Sequence, residues 1–199
     1  MISLTKKFIY IDIVKTASTS IRKILAKEGG IDKHHCFLNK TCVDNPLKRN
    51  ISSDGTWLNH KLNLDEYYKF AFVRNPWDRL VSLFFFGEQQ KRKWARLSFD
   101  AFATRECTNI LDGIYNTNSK PMIEWIRDDD RNILVDYIGK FESLTTDWEN
   151  VKLALNISNN LPHIKRSNHL NYRTYYTKEL KKLVDQAYKE DIEFFNYSF

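Results

Sequence analysis

The residues best placed to do chemistry fall in two short stretches. In the first, Lys15-Thr16-Ala17-Ser18-Thr19-Ser20 joins one full positive charge to four hydroxyl side chains. It follows a near-continuous apolar run, Phe8 to Val14, and precedes Ile21, Ile24 and Leu25 at helical spacing. The run reads as a strand buried on both faces, as in a parallel sheet. A strand, a small-residue loop and a helix start together bind anions, because the first helical N–H groups lack partners and the helix dipole adds to the attraction. The stretch is therefore expected to be a phosphate or sulfate cradle.

The second stretch is Lys69 to Gly87, KFAFVRNPWDRLVSLFFFG. Phe70 to Val73 is expected to be another buried strand with Arg74 at its carboxyl end. Asn75 is a good N-cap, and Pro76 suits the first helical position, where its missing N–H costs nothing. Arg79 and Ser82 share a helix face. In open α/β sheets ligands bind outside the carboxyl ends of the strands, so Lys15 and Arg74 are expected at one rim.

The elements that must position these residues follow in order along the chain. A helix after the cradle should stop at Gly29-Gly30. Ile31 to Leu58 is the least regular segment, with turn signals at Asn45-Pro46 and Asp54-Gly55. A short helix is expected at Phe99 to Arg105, and another opening at Pro121. A third strand is expected at Ile133 to Ile138, closed by Gly139. Leu144, Trp148, Val151 and Leu155 form one apolar stripe of a helix capped by Thr145 or Thr146. Leu180, Leu183, Val184, Ala187 and Tyr188 form another, from Lys178. This is the pattern of one α/β domain over residues 1–199, a parallel β-sheet flanked by helices.

Composition sets the outer bounds. The 199 residues carry a formal net charge of +6, which favours an anionic partner without naming it. Cys36, Cys42 and Cys107 are an odd number with no CxxC pair, which argues against a disulfide framework or a closed zinc site. His34 and His35 near Cys36 and Cys42 have poor metal-ligand spacing, and no metal is expected. No apolar run has the length of a membrane span and the N-terminus has no signal-peptide pattern, so a cytoplasmic chain is expected.

The cradle lacks the two glycines of the common nucleoside-triphosphate loop, and its lysine comes first rather than late. In order and type it resembles the 5′-phosphosulfate loop of sulfotransferases, which use 3′-phosphoadenosine 5′-phosphosulfate (PAPS). FAFVRNPWDRLVSLF is similar to the 3′-phosphate motif of the same family, with Arg74 and Ser82 at the arginine and serine positions. Ile138 to Trp148 and Tyr175 to Phe199 are similar to segments of carbohydrate-type sulfotransferases and their bacterial relatives.

The resemblance implies a P-loop-NTPase-like sulfotransferase fold and a PAPS co-substrate. It implies that Lys15, Thr16, Ala17, Ser18, Thr19 and Ser20 hold the phosphosulfate and that Arg74 and Ser82 hold the 3′-phosphate. Lys165 and Arg166 are candidates for further nucleotide contact. Lys15 would offset charge on the leaving oxygen. His60, in Asn59-His60-Lys61, is the candidate base for the acceptor hydroxyl, ahead of His34, His35, His163 and His169. The acceptor would be a carbohydrate or related hydroxyl compound, with an acidic or sulfated one favoured by the basic charge; no nucleic acid is expected.

Two other classes fit parts of the pattern. A kinase with a variant phosphate loop fits the strand–loop–helix alone. A non-catalytic polyanion binder fits the charge and the run Lys91, Arg92, Lys93 and Arg96, which otherwise reads as a solvated face. Arg79 reads as a salt-bridging helix residue and Glu142 as a structural acid.

Overall fold

Among the described residues four short strands form one sheet in the order β1 (Ile2–Ser3), β2 (Phe8–Ile11), β3 (Tyr68–Val73), β4 (Tyr137–Lys140). The α-helices among the described residues are α1 (Ser18–Lys27), α2 (Pro76–Gln89), α3 (Phe99–Leu111), α4 (Leu144–Leu155), α5 (Lys178–Ala187) and α6 (Lys189–Phe194). This computed structural model describes residues 1–30, 64–116, 118–162 and 169–199. They group into two compact units. The first draws on Met1–Ile13, Ala17–Val73 and Glu124–Ile164, and the second on Val14–Thr16, Arg74–Ile123 and Lys165–Phe199.

The first unit holds the whole sheet. β2, β3 and β4 are parallel, with Tyr10 opposite Phe70 and Phe72 opposite Gly139, and β1 adds an antiparallel edge that the sequence pattern did not announce. Phe8, Tyr10, Phe70 and Phe72 cover one face and pack with Ile21, Ile24 and Leu25 of α1 and the Leu144, Trp148, Val151, Leu155 stripe of α4. Ile9, Ile11, Ala71 and Val73, on the alternate positions, are buried as well. Burial on both faces is what makes β2 and β3 read as unbroken apolar runs.

Local chemistry sets the boundaries. β2 ends at Ile11, short of the apolar run: the chain turns at Asp12, where Ile13 N–H reaches Ile11 O at 3.1 Å and the carboxylate meets Arg22 at 3.3 Å. α1 ends at Lys27 as expected; Gly29 takes φ +75° and Gly30 N–H donates to Leu25 O at 2.8 Å. β4 lies later than expected. Residues 126–134 fold on themselves, with Leu134 N–H on Ile126 O at 2.8 Å and Arg127 bridged to Ile133, which removes them from the sheet. Gly139 therefore sits inside β4 instead of closing it. A Cβ there would lie 2.4 Å from Phe72 Cε1, so the ring occupies the space a side chain would need. α4 starts at Leu144 without a threonine cap. Asp147 in its first turn accepts from Lys140 N–H at 2.6 Å and from the Ser143 hydroxyl at 2.7 Å.

The second unit is helical. Trp77, Leu80, Leu83 and Phe84 of α2, Phe102 and Cys107 of α3, and Leu180 and Val184 of α5 share one core. Each of these helices has a side-chain cap: Asn75 accepts from Asp78 N–H at 3.2 Å, Ser98 from Ala101 N–H at 3.2 Å, and Thr177 from Leu180 N–H at 3.1 Å. α3 runs to Leu111, further than expected from Phe99 to Arg105. Pro121 opens no α-helix; Met122 and Ile123 N–H donate to the buried Asp191 carboxylate at 2.7 and 2.8 Å, and a single 3₁₀ turn follows at Ile123–Trp125.

Candidate active site

Two residues of the cradle take a backbone shape that side chains disfavour. Lys15 has φ +70° and Ala17 φ +69°, both in the left-handed region. Each costs a non-glycine residue about 1–2 kcal/mol, and such strain persists only where surroundings impose it. Left-handed residues alternating with ordinary ones also turn successive N–H groups to one side, making an anion-binding concavity. The two glycines missing from the sequence are thus replaced by enforced conformation.

At Lys15 the carbonyls on either side of the strained residue's N–H are held by two arginines. Arg79 of α2 is buried and donates three hydrogen bonds, from Nε to Val14 O, Nη1 to Lys120 O and Nη2 to Asn118 O, each at 3.0 Å. Arg74 donates from Nη1 to Lys15 O at 3.2 Å. Consecutive carbonyls, Val14 and Lys15, are thereby pinned from one strand-to-helix turn, which orients the peptide entering Thr16. Arg74 in turn is held by Asp78, one helical turn on, through Nε at 2.9 Å and Nη2 at 2.8 Å. Ser82, further along α2, is buried.

Arg79 was expected to be a salt-bridging helix residue and instead clamps carbonyls. The signal was available: 79, 83 and 86 form one stripe of α2, and an arginine beside Leu80, Leu83 and Phe84 must find buried acceptors. Burial pushes its pKa down from the ordinary guanidinium range, but a guanidinium stays charged throughout the physiological range.

Lys15 is the charged side chain of the cradle. Its Nζ lies 4.2 Å from the Phe86 ring centroid, a cation–π contact. Burial, with the nearby positive charge of Arg74 added, brings its pKa from 10.5 down to about 8. A half-buried ammonium beside a guanidinium gains most from an anion. Downstream, α1 starts at Ala17 with no side-chain cap and no acid in its first turn. The helix N-terminus over Ser18, Thr19 and Ser20 leaves its dipole uncompensated.

Asn116 and Ser119 are held by an equally polar frame. Glu106, buried on α3, accepts from Asn116, Ser119 and Arg105; Tyr188 Oη donates to Ser119 O at 2.7 Å. Sequence reading missed Glu106, because an acid on a helix gives no hint that an irregular segment depends on it.

Of the expected site residues, the structure brings together Lys15 and Arg74, with Ser82 buried on the same α2 that carries Arg79. Thr16 is buried, and Ala17 to Ser20 form the start of α1. His60, Lys165 and Arg166 lie outside the described residues, as do His34, His35 and His163. Glu142 is exposed, and so are Lys91, Arg92, Lys93 and Arg96. Among the described residues no cluster of His, Cys, Asp and Glu could hold a metal, and no helix is long and apolar enough to cross a membrane.

The model of the sulfotransferase family matches residues 1–198. The chain belongs to the sulfotransferase family. No curated protein and no solved structure matches it. As a sulfotransferase family member the chain is a transferase of sulfuryl groups, and its α/β sheet with parallel β2, β3 and β4 fits the P-loop-like fold of that family. The uncapped start of α1 and the desolvated Lys15 each favour an anion.

Proposed function

We propose that this sulfotransferase takes its sulfuryl group from PAPS and delivers it to a hydroxyl of a carbohydrate or related acceptor. The observation that carries the reading is the partly desolvated Lys15, set by Arg74 and Arg79 at the entry to a strained, glycine-free anion loop. We take residues 1–199 as one catalytic domain, supported by a family match that runs from residue 1 to residue 198. We place the enzyme in the cytoplasm, where the buried thiol of Cys107 suits a reducing environment.

When bound, PAPS supplies a sulfuryl group whose bond to the 5′-phosphate oxygen breaks, with its electron pair, as the acceptor oxygen bonds to sulfur. The chain's own residues do the rest. The N–H groups and hydroxyls from Thr16 to Ser20 hold the charged end of the donor. Lys15 offsets charge growing on the leaving oxygen, the kind of fixed electrostatic help that dominates group transfer. Arg74, with Ser82, holds the 3′-phosphate, its fork already aligned by Asp78. Lys165 and Arg166 add contacts to the nucleotide. His60 takes the acceptor's hydroxyl proton, the role for which an imidazole titrating near neutrality is suited.

The test is a thermal-shift titration with 3′-phosphoadenosine 5′-phosphate, followed by turnover with PAPS. A ligand at about 100 times its Kd adds roughly 2.7 kcal/mol to stability, which is easily read. Lys15→Ala is expected to lower turnover by about 10²–10³ while the protein stays folded. Absence of a nucleotide shift in folded wild-type protein would overturn the reading. Magnesium-dependent ATP consumption would replace it with a kinase, and steeply salt-dependent polyanion binding without nucleotide preference would replace it with a binding protein.

A further inference from the structure

A pocket of about 430 Å³ opens within the second unit. Leu83, Trp94 and Phe102 give it apolar and aromatic walls, and Tyr115, Asn116 and Asn118 give it phenol and amide groups. Its charged residues, Arg105 and Glu106, cancel: Glu106 Oε1 accepts from Arg105 Nε at 3.1 Å and Nη2 at 2.7 Å, while Oε2 is taken by Asn116 and Ser119. The lining therefore carries no net charge. On its irregular side Asn116 Oδ1 accepts from Asn118 N–H at 2.8 Å and from Ser119 N–H at 3.1 Å.

One helical stripe ties this pocket to the reactive lysine. Residues 79, 83 and 86 of α2 stand at i, i+4 and i+7 on one face. Arg79 joins Val14 O, just before Lys15, to Asn118 O in the pocket lining; Leu83 is a pocket wall; Phe86 carries the Lys15 ammonium. A molecule in the pocket thus lies along the helix that seats Lys15.

We propose that this pocket is the acceptor site and that it takes an uncharged sugar or comparable polyol ring. This rests on the sulfuryl-transfer reading above. Aromatic walls suit the C–H face of such a ring, the Asn118 amide suits its hydroxyls, and the volume lies in the ordinary range for small-molecule sites. The neutral lining selects against the acidic acceptor that the net charge of +6 had suggested.

The experiment is ligand-observed saturation-transfer NMR on the full chain without nucleotide. The probes are cellobiose, lactose and N-acetylglucosamine, set against a sulfated chondroitin disaccharide. Tyr115→Ala and Asn118→Ala serve as variants; Tyr115 is half exposed, and the Asn118 backbone keeps its bonds in either case. At least one neutral probe should bind wild type better than the sulfated one, and each variant should weaken it by about 5- to 10-fold, the loss of one good polar contact. With an active donor, the same variants should raise acceptor KM by that factor and leave the nucleotide shift unchanged. Preference for the sulfated probe would overturn the neutral assignment, and neutral binding indifferent to both variants would overturn the pocket. Failure of the nucleotide shift beside intact, variant-sensitive sugar binding would strike the transferase reading while keeping the pocket as a sugar site.

Discussion

The two compact units bury different kinds of atom. Among the described residues of the first, the buried polar ones are Ser3 and Asp12, and the largest buried side chains include Trp125, Trp148, Tyr10 and three phenylalanines of β2 and β3. In the second, Thr16, Arg74, Asn75, Arg79, Ser82, Glu106, Ser119 and Asp191 are buried. The first unit is specified by apolar surface, which tolerates small shifts. The second is specified by donors and acceptors that must meet at about 3 Å, because a buried group left unpaired costs about 1–3 kcal/mol. That intolerance is what holds Lys15 in a strained conformation, so the residues of the candidate site lie where polar atoms are buried.

Removing one anchor from each unit tests this most strongly. Arg79→Ala strips donors from three carbonyls and is expected to cost about 3–5 kcal/mol. Trp148→Ala, in the first unit, empties a core position and is expected to cost about 3–5 kcal/mol as well. Denaturant midpoints should therefore fall together. The response to 3′-phosphoadenosine 5′-phosphate should not: Trp148→Ala keeps it and Arg79→Ala loses it. Arg79→Lys should fail to rescue, since one ammonium cannot reproduce the planar fork that reaches three acceptors. A lysine variant with wild-type stability would show that charge alone suffices.

A smaller effect probes packing in the first unit by itself. Gly139→Ala places a Cβ against Phe72, a ring with no exposed surface, and is expected to destabilise by about 1–3 kcal/mol through overpacking. Nucleotide response should be unchanged. An unaltered midpoint would mean that the β3–β4 pair opens easily, and the contrast between a forgiving apolar unit and an exacting polar one would grow.

The same contrast explains what could be read from sequence. β2, β3, α1, α2, α4 and α5 were legible because burial imposes periodicity on apolar residues, and caps such as Asn75 and Thr177 declare themselves locally. β4 was misplaced because Ile133 and Leu134 look like strand residues but bond to Arg127 and Ile126, a choice made by tertiary contact. That Lys15 and Arg74 meet at one strand-to-helix turn was legible from their positions. Their coupling through the Lys15 carbonyl was not, nor was the Arg79 clamp, nor the pocket lined from Leu83 to Asn118. Those depend on where irregular backbone runs, and the carbonyls of an irregular segment leave no trace in residue type.

The gentlest test is pH, which separates the units without a severe substitution. Lys15 has a folded pKa of about 8 against 10.5 in the open chain. Between these values the unfolded chain holds more protons than the folded one, so this group's contribution to stability rises with pH from about 8 to 10.5. Anion binding moves the opposite way, since it needs the ammonium. Affinity for the nucleotide should fall about two-fold by pH 8 and about ten-fold by pH 9 relative to neutral pH, following the fraction of Lys15 still protonated. Comparison with Lys15→Met isolates both trends from the tyrosines, whose raised pKa values, as at Tyr176 and Tyr188, affect stability at higher pH. Calorimetric titrations at fixed ionic strength between pH 7 and pH 9 measure the affinities. A flat profile in wild type would mean that the ammonium is not what the anion meets, and the polar unit would keep its stability role while losing its claim to the donor site.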